Sequence, residues 1–367
     1  MKSSSAQLQL SMTQYFGLQM MVFGAISFYL YPYFVIHATD HGFWIPILIW
    51  MPLSVAGSWL FSRMLALHQG EDAFSIVKRE LGWAGIVLFL LPLIWFMWRS
   101  MVVMISAHME IISMTILPAT PSWVTAGVLW IAVFLASGGI GSIVRTGMIF
   151  LLVSFPISLA LSLLGLSNVE FSLGKPWLHT SGDFLFSRKF YASSCIWTGY
   201  LYMAASGKFT KTPGKLWKPY IAAAVCFSPL ILGAVYLPVL TFGAEMSRNL
   251  TLPYISKMDS IYHYWLVIEN LTAVFISSAM LYVILTLALM LHMIVAALRV
   301  IFWRWNEWWL YVIIGAATYA STLYVPSWDW IEKAVEWDSP FRLYLMYLFP
   351  LAVIVKSLFS ERKKSHP

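Results

Sequence analysis

Apolar residues run through this chain in blocks of roughly twenty or more, separated by short polar stretches. That is the length a helix needs to cross a hydrocarbon core about 30 Å thick. Ten blocks stand out, at 10–36, 43–66, 84–113, 122–138, 141–166, 190–206, 217–242, 264–298, 306–325 and 341–359. Each reads as a membrane-spanning helix. Several carry helix-disturbing residues: Gly24 and Pro32 in the first, Gly199 in the sixth, and Pro229, Gly233 and Pro238 in the seventh. Neighbouring helices can re-satisfy the backbone groups such residues release. The third and eighth blocks are too long to stand straight, so tilt or extension beyond the bilayer is expected.

Composition agrees. Of 367 residues, 60% are hydrophobic and 11% charged, too few charges to cover a water-facing surface, which excludes a soluble enzyme. The 19 Trp fit an interfacial aromatic belt. Cys195 and Cys226 both fall in apolar blocks and suggest packing rather than a disulfide or a metal site. The polar start, Met1 to Gln9, followed by a run too long for a signal-peptide core, makes the first block a spanning helix. With the N-terminus cytoplasmic, 15 Lys and Arg fall on the inner side and 7 on the outer side. This asymmetry favours an even number of spans with both termini cytoplasmic. The net charge of +7 is then no nucleic-acid footprint. Lys208 to Lys218 and Arg362-Lys363-Lys364 read as charges held near anionic headgroups.

Ten spans divide into five and five, about 10–166 and 190–359, within a single permease-like domain spanning 1–367. An odd number per half inserts the halves in opposite orientation, which predicts an all-α polytopic membrane protein built as a 5+5 inverted repeat with broken first and sixth helices. Gly24-Ala25 and Thr198-Gly199 lie near the middle of those two helices. Half-helix N-termini present free N–H groups and a positive dipole end to an anion. Gly24, Ala25, Thr198, Gly199 and Tyr200 would form such a cradle for a small ligand. Trp95 and Arg99 on the third span, with Ala273 and Ser277 on the eighth, would close its walls.

Arg99 is the sharpest feature, an arginine near the centre of a span that needs a partner or water. It reads either as a carboxylate-binding or gating residue or as a structural ion pair with another helix. Arg99, Ser106 and Glu110 share one helical stripe. Glu110 and Glu269 are gating or ion-pair candidates near the outer surface, where both could equally be interfacial. His108 and His292 read as packing histidines. Nothing suggests a metal or cofactor: no phosphate loop, His-Glu-x-x-His run or Gly-x-Ser-x-Gly elbow occurs, and no enzymatic activity is expected.

Several landmarks resemble the spore germination permease family, the B subunits of nutrient germinant receptors (GerAB type). They are Gln14, Gly24 and Pro32 in the first span, Gly42-Phe43-Trp44 before the second, Leu117 to Pro121 after the third, Gly139 to Arg145 at the fifth, and Ile268-Glu269 at the eighth. Asn270 stands where the family has arginine, Gly141 where it often has an acid, and Phe28, Tyr29 and Tyr31 where small residues are usual. The resemblance implies membership of the amino acid–polyamine–organocation superfamily and a pocket between the first, third, sixth and eighth helices. It implies a nutrient ligand, commonly an amino acid, and a place in the spore inner membrane. It also implies two partners, a larger membrane receptor subunit and a lipoprotein. The alternative is an ion-coupled secondary amino acid transporter using the same pocket.

Overall fold

The computed structural model describes residues 8–261 and 271–365, and the described residues form helices and no strands. Six helices are long and apolar enough to cross a membrane, seven with the bent pair Met12–Ser27 and Leu30–Ala38. That pair is span 1, and three shorter helical segments, spans 4, 6 and 9 in chain order, fall outside that set among the described residues. Span 2 is Trp44–Leu67 and span 3 is Leu91–Thr115 with the π turn Ile86–Leu90 before it. Span 4 is Ser122–Ala126 with Val128–Ser137, and span 5 is Gly139–Leu164. Span 6 joins Arg188–Ala192, a 3-10 stretch Ser193–Tyr202, and Met203–Ser206. Spans 7, 8 and 9 are Trp217–Phe242, Leu271–Ile301 and Glu307–Thr322. Span 10 runs through Trp328–Trp337, Ser339–Leu343, Tyr344–Leu348 and Phe349–Ser365.

Span 1 opens with a reciprocal cap. The Ser11 hydroxyl accepts from the Gln14 amide, and the Gln14 side chain accepts from the Ser11 amide at 2.8 Å. The span breaks at Phe28–Tyr29 with a 66° bend, four residues beyond Gly24. Pro32 supplies the reason. It has no N–H to donate to the Phe28 carbonyl one turn back, and its ring crowds that carbonyl. Gly24 serves close packing instead, since a Cβ there would lie 2.5 Å from the Tyr282 ring of span 8. The middle of span 6 is irregular in another way, wound tightly as 3-10 helix through Thr198-Gly199 rather than parted.

The stretch before span 3 is an amphipathic helix from Ala73, capped by the Asp72 carboxylate, which accepts from the Ser75 amide at 2.8 Å. It turns into span 3 at Gly82, whose φ of 61° and ψ of −142° are closed to residues with a side chain. Span 10 begins at Trp328, well before the apolar block at 341–359. Asp329, Glu332, Lys333, Glu336 and Asp338 lower the hydropathy of its first turns, yet Glu332 and Asp338 are buried against the bundle.

Span 8 is the central post, with 72% of its most apolar window buried, and it packs on spans 1, 3, 4 and 5. Span 5 has only 28% buried. Phe134, Ile149 and Leu152 stand well exposed on spans 4 and 5, as lipid-facing side chains do. Both described chain ends, with residues 68–72, 138–145 and 299–307, lie at one end of the bundle, the terminal face. Leu10 donates to Phe209, and His68 meets Ser357 there. The loops at 39–43, 115–122, 165–187 and 243–261 lie at the far face.

A candidate ligand cavity among five spans

Spans 1, 3, 6, 8 and 10 surround a cavity of about 90 Å³. One water needs roughly 10–15 Å³ on the same measure, so the space suits a small molecule. Span 1 contributes the residues around its break, from Val22 and Ala25 to Tyr29 and Leu30. Span 3 contributes one face from Phe96 to His108, and span 6 contributes Cys195, Thr198 and Gly199. Met97, Met104, Met290 and Met293 give walls that adapt to shape, because an unbranched thioether fills irregular gaps. The second half of span 1 starts at Tyr29 with no side-chain cap, so its first turn begins at the cavity with backbone donors unclaimed by a capping side chain.

Polar groups interrupt the apolar lining at few points. The Tyr29 hydroxyl, both ring nitrogens of His108 and the Thr286 hydroxyl are buried without a hydrogen-bond partner among the described residues. Leaving such a group unpaired costs about 1–3 kcal/mol, which a polar ligand would recover. The Tyr29 and His108 rings meet edge to face, centroids 5.6 Å apart.

One end of the cavity is charged. Asp338 and Arg342, one helical turn apart on span 10, both line it. Arg99 Nε lies 2.9 Å from Asp338 Oδ1 behind the wall, and its guanidinium donates to the Ala334 carbonyl at 3.4 Å. Arg342 is 2% exposed and donates to the carbonyls of Ala192 (3.1 Å) and Val335 and to the Ser339 hydroxyl (3.2 Å). Its Nε has no hydrogen-bond partner among the described residues. Two guanidinium groups meet one carboxylate here, and Lys189 with Glu332 and Glu336 restores the balance in the next layer outward, so the excess of positive charge is local to the cavity. Burying a charge is costly unless it is matched, so the arrangement favours an anionic group arriving from the cavity, with Asp338 at hand for a cationic one.

Of the residues singled out from the sequence, Ala25, Thr198 and Gly199 are brought together on the cavity wall. Gly24 faces Tyr282 instead. Tyr200 turns away, its hydroxyl donating to the Met346 carbonyl at 3.3 Å. Trp95 is 49% exposed on the outside of span 3, tilted against Trp98. Ser277 is exposed and Ala273 half-buried, and both precede the cavity-lining part of span 8, which begins at Val283. Arg99 makes the interhelical ion pair that was one of its two readings. Glu110 lines a separate polar pocket with Ser106, and Glu269 lies outside the described residues. His292 meets the Tyr311 hydroxyl at 2.8 Å, away from the cavity. Tyr29, His108, Thr286, Asp338 and Arg342 were not anticipated as lining residues. The need of Arg99 for an acid was the one sequence signal that led toward Asp338.

A search of curated proteins returns no match. Among solved structures, the chain is similar to MhsT in complex with L-phenylalanine, with a TM-score of 0.63 over 96% of this chain and 99% of that one. Sequence identity is 12%, so the likeness shows the fold, that of an all-α polytopic membrane protein. A family described as "Spore germination protein" matches residues 9–327 and stops just before span 10. With that match covering most of its length, this multi-pass membrane protein, which is not an enzyme, belongs to the spore germination protein family.

Proposed function

We propose that the chain is the nutrient-binding membrane subunit of a germinant receptor, and that an amino acid entering the central cavity triggers germination. The observation that carries this reading is the cavity itself, with adaptable apolar walls leading to Asp338 and Arg342. An amino acid has the matching parts. Its carboxylate meets the excess positive charge at Arg342 and the uncapped turn at Tyr29, its ammonium group meets Asp338, and its side chain lies among the methionines. Ala25, Thr198 and Gly199 shape the wall beside it. Binding acts as a trigger only through unequal affinity for two packings of the bundle. The family resemblance is what supports a larger membrane subunit and a lipoprotein as partners and the spore inner membrane as the location. The basic residues gathered at the terminal face support cytoplasmic termini.

A second reading, an ion-coupled amino acid transporter, draws on the same cavity. It is favoured by a vestibule of about 780 Å³ at the terminal face, bordered by Arg145, Lys208, His292 and Arg299. A hollow open at one face is what alternating access asks of a transporter's open side.

Equilibrium binding of radiolabelled amino acids to the purified chain in lipid nanodiscs tests the cavity, and uptake into sealed vesicles separates the two readings. The receptor reading expects saturable binding without uptake. Ala25→Leu, which fills the cavity from its wall, should abolish binding while the protein stays folded and in the membrane. Undiminished binding by that variant would remove the cavity from consideration.

A further inference from the structure

A second pocket, of about 220 Å³, lies toward the far face between spans 3, 4, 9 and 10. Its lining differs from that of the central cavity. Seven serine and threonine side chains border it together with one carboxylate, Glu110, and no lysine, arginine or histidine takes part. Glu110 makes no ion pair or hydrogen bond among the described residues. Ser106, one turn before it on span 3, is 5% exposed, and its hydroxyl lacks a partner among the described residues. Two further hydroxyls have their protons committed elsewhere: Thr125 donates to the Ser122 carbonyl at 3.0 Å and Thr322 to the Tyr319 carbonyl at 2.7 Å. Their oxygens therefore offer lone pairs and no proton to the pocket.

We propose that this pocket is a binding site for a monovalent metal cation, with Glu110 supplying the counter-charge and Ser106, Thr125 and Thr322 supplying neutral oxygen ligands. Oxygen ligands suit hard cations. A single carboxylate neutralises one positive charge, whereas a calcium site is built from several carboxylates and carbonyls. The volume leaves room for the ion to keep part of its water. The site is separate from the amino acid cavity and does not depend on that assignment. Yet the two share supports: span 3 shows Val103, Met104 and Ala107 to the cavity and Ser106, Met109 and Glu110 to the cation pocket. Span 10 likewise gives Ile331 to one and Val335 to the other.

The test is thermal unfolding of the full chain in nanodiscs, in chloride salts of sodium, potassium or N-methyl-D-glucamine at one ionic strength, each with and without added calcium chloride. A ligand that binds only the folded state raises the midpoint with concentration. Sodium or potassium should therefore raise it saturably above the organic cation. Glu110→Gln should erase that difference, and Ser106→Ala should move half-saturation upward by about tenfold, the size expected for one lost ligand contact. Thr125→Val provides the same reading if Glu110→Gln fails to fold. The proposal is overturned by a wild-type midpoint indifferent to the cation, by an undiminished shift in Glu110→Gln or, if that variant does not fold, in Thr125→Val, or by calcium outcompeting both monovalent ions.

Discussion

The two ends of the bundle use the same ion-pair chemistry in opposite settings. At the far face, Lys189 of span 6 lies 2.8 Å from Glu336 and 3.7 Å from Glu332 of span 10, and donates to the Tyr33 hydroxyl of span 1 at 3.0 Å. Its ammonium also sits 4.4 Å from the centre of the Tyr33 ring. Below it come Arg342 against the Ala192 carbonyl and Arg99 against Asp338. These layers bind spans 1, 6 and 10 together over the cavity. At the terminal face, Lys208 pairs with Asp72 at 2.9 Å and Arg299 with Glu307, but they stand around the wide vestibule, and the side chains of Arg299 and Glu307 are 48% and 49% exposed. The contrast describes a molecule closed over the cavity toward the far face and hollow at the other, with the Lys189, Arg342 and Arg99 layers as the bolts and the exposed Arg299–Glu307 pair on the rim.

The largest expected effect comes from the dry side. Asp338→Asn removes the carboxylate from between Arg99 and Arg342, and breaking a buried pair in this way costs about 3–5 kcal/mol. Denaturant unfolding in nanodiscs measures it, and a loss below ~1 kcal/mol would place this pair with the surface ones and dissolve the contrast. Lys189→Gln should have an intermediate effect by loosening the far face. Cys195 lines the cavity and is buried, so in a Cys226→Ser background it reports access. A thiol reagent added from the far side should label it about tenfold faster, as ~1.4 kcal/mol lost from the closed packing would give. Unchanged labelling would mean Lys189 is no bolt. The smallest effect belongs to Arg299→Gln, expected to cost under ~1 kcal/mol and to leave Cys195 labelling unaltered.

Hydropathy made the spans legible because lipid demands long apolar helices, and it marked both irregular helices. It placed the break of span 1 at Gly24 because glycine is the visible weak point, whereas the missing donor of Pro32 acts one turn upstream. Span 10 was cut short for a related reason. The acids of its first turns resemble a loop when averaged over a window, although their partners Lys189 and Arg99 come from distant parts of the chain. Arg99 announced that a partner had to exist without naming it. The cavity residues Tyr29, His108 and Thr286 look like ordinary packing positions along the sequence, because only the crossing of five helices sets them around one space.

Gly82 and Gly24 are both closed to substitution, and for opposite reasons. Around Gly82 nothing lies within 4 Å of where a methyl group would sit, so only the handedness of the backbone forbids one. At Gly24 the backbone is an ordinary right-handed helix, and only the neighbouring ring forbids it. Trimming the Tyr282 ring would therefore make room for alanine at 24, whereas no change of a neighbour would do so at 82, so a second-site substitution tells a seam in this protein from a hinge.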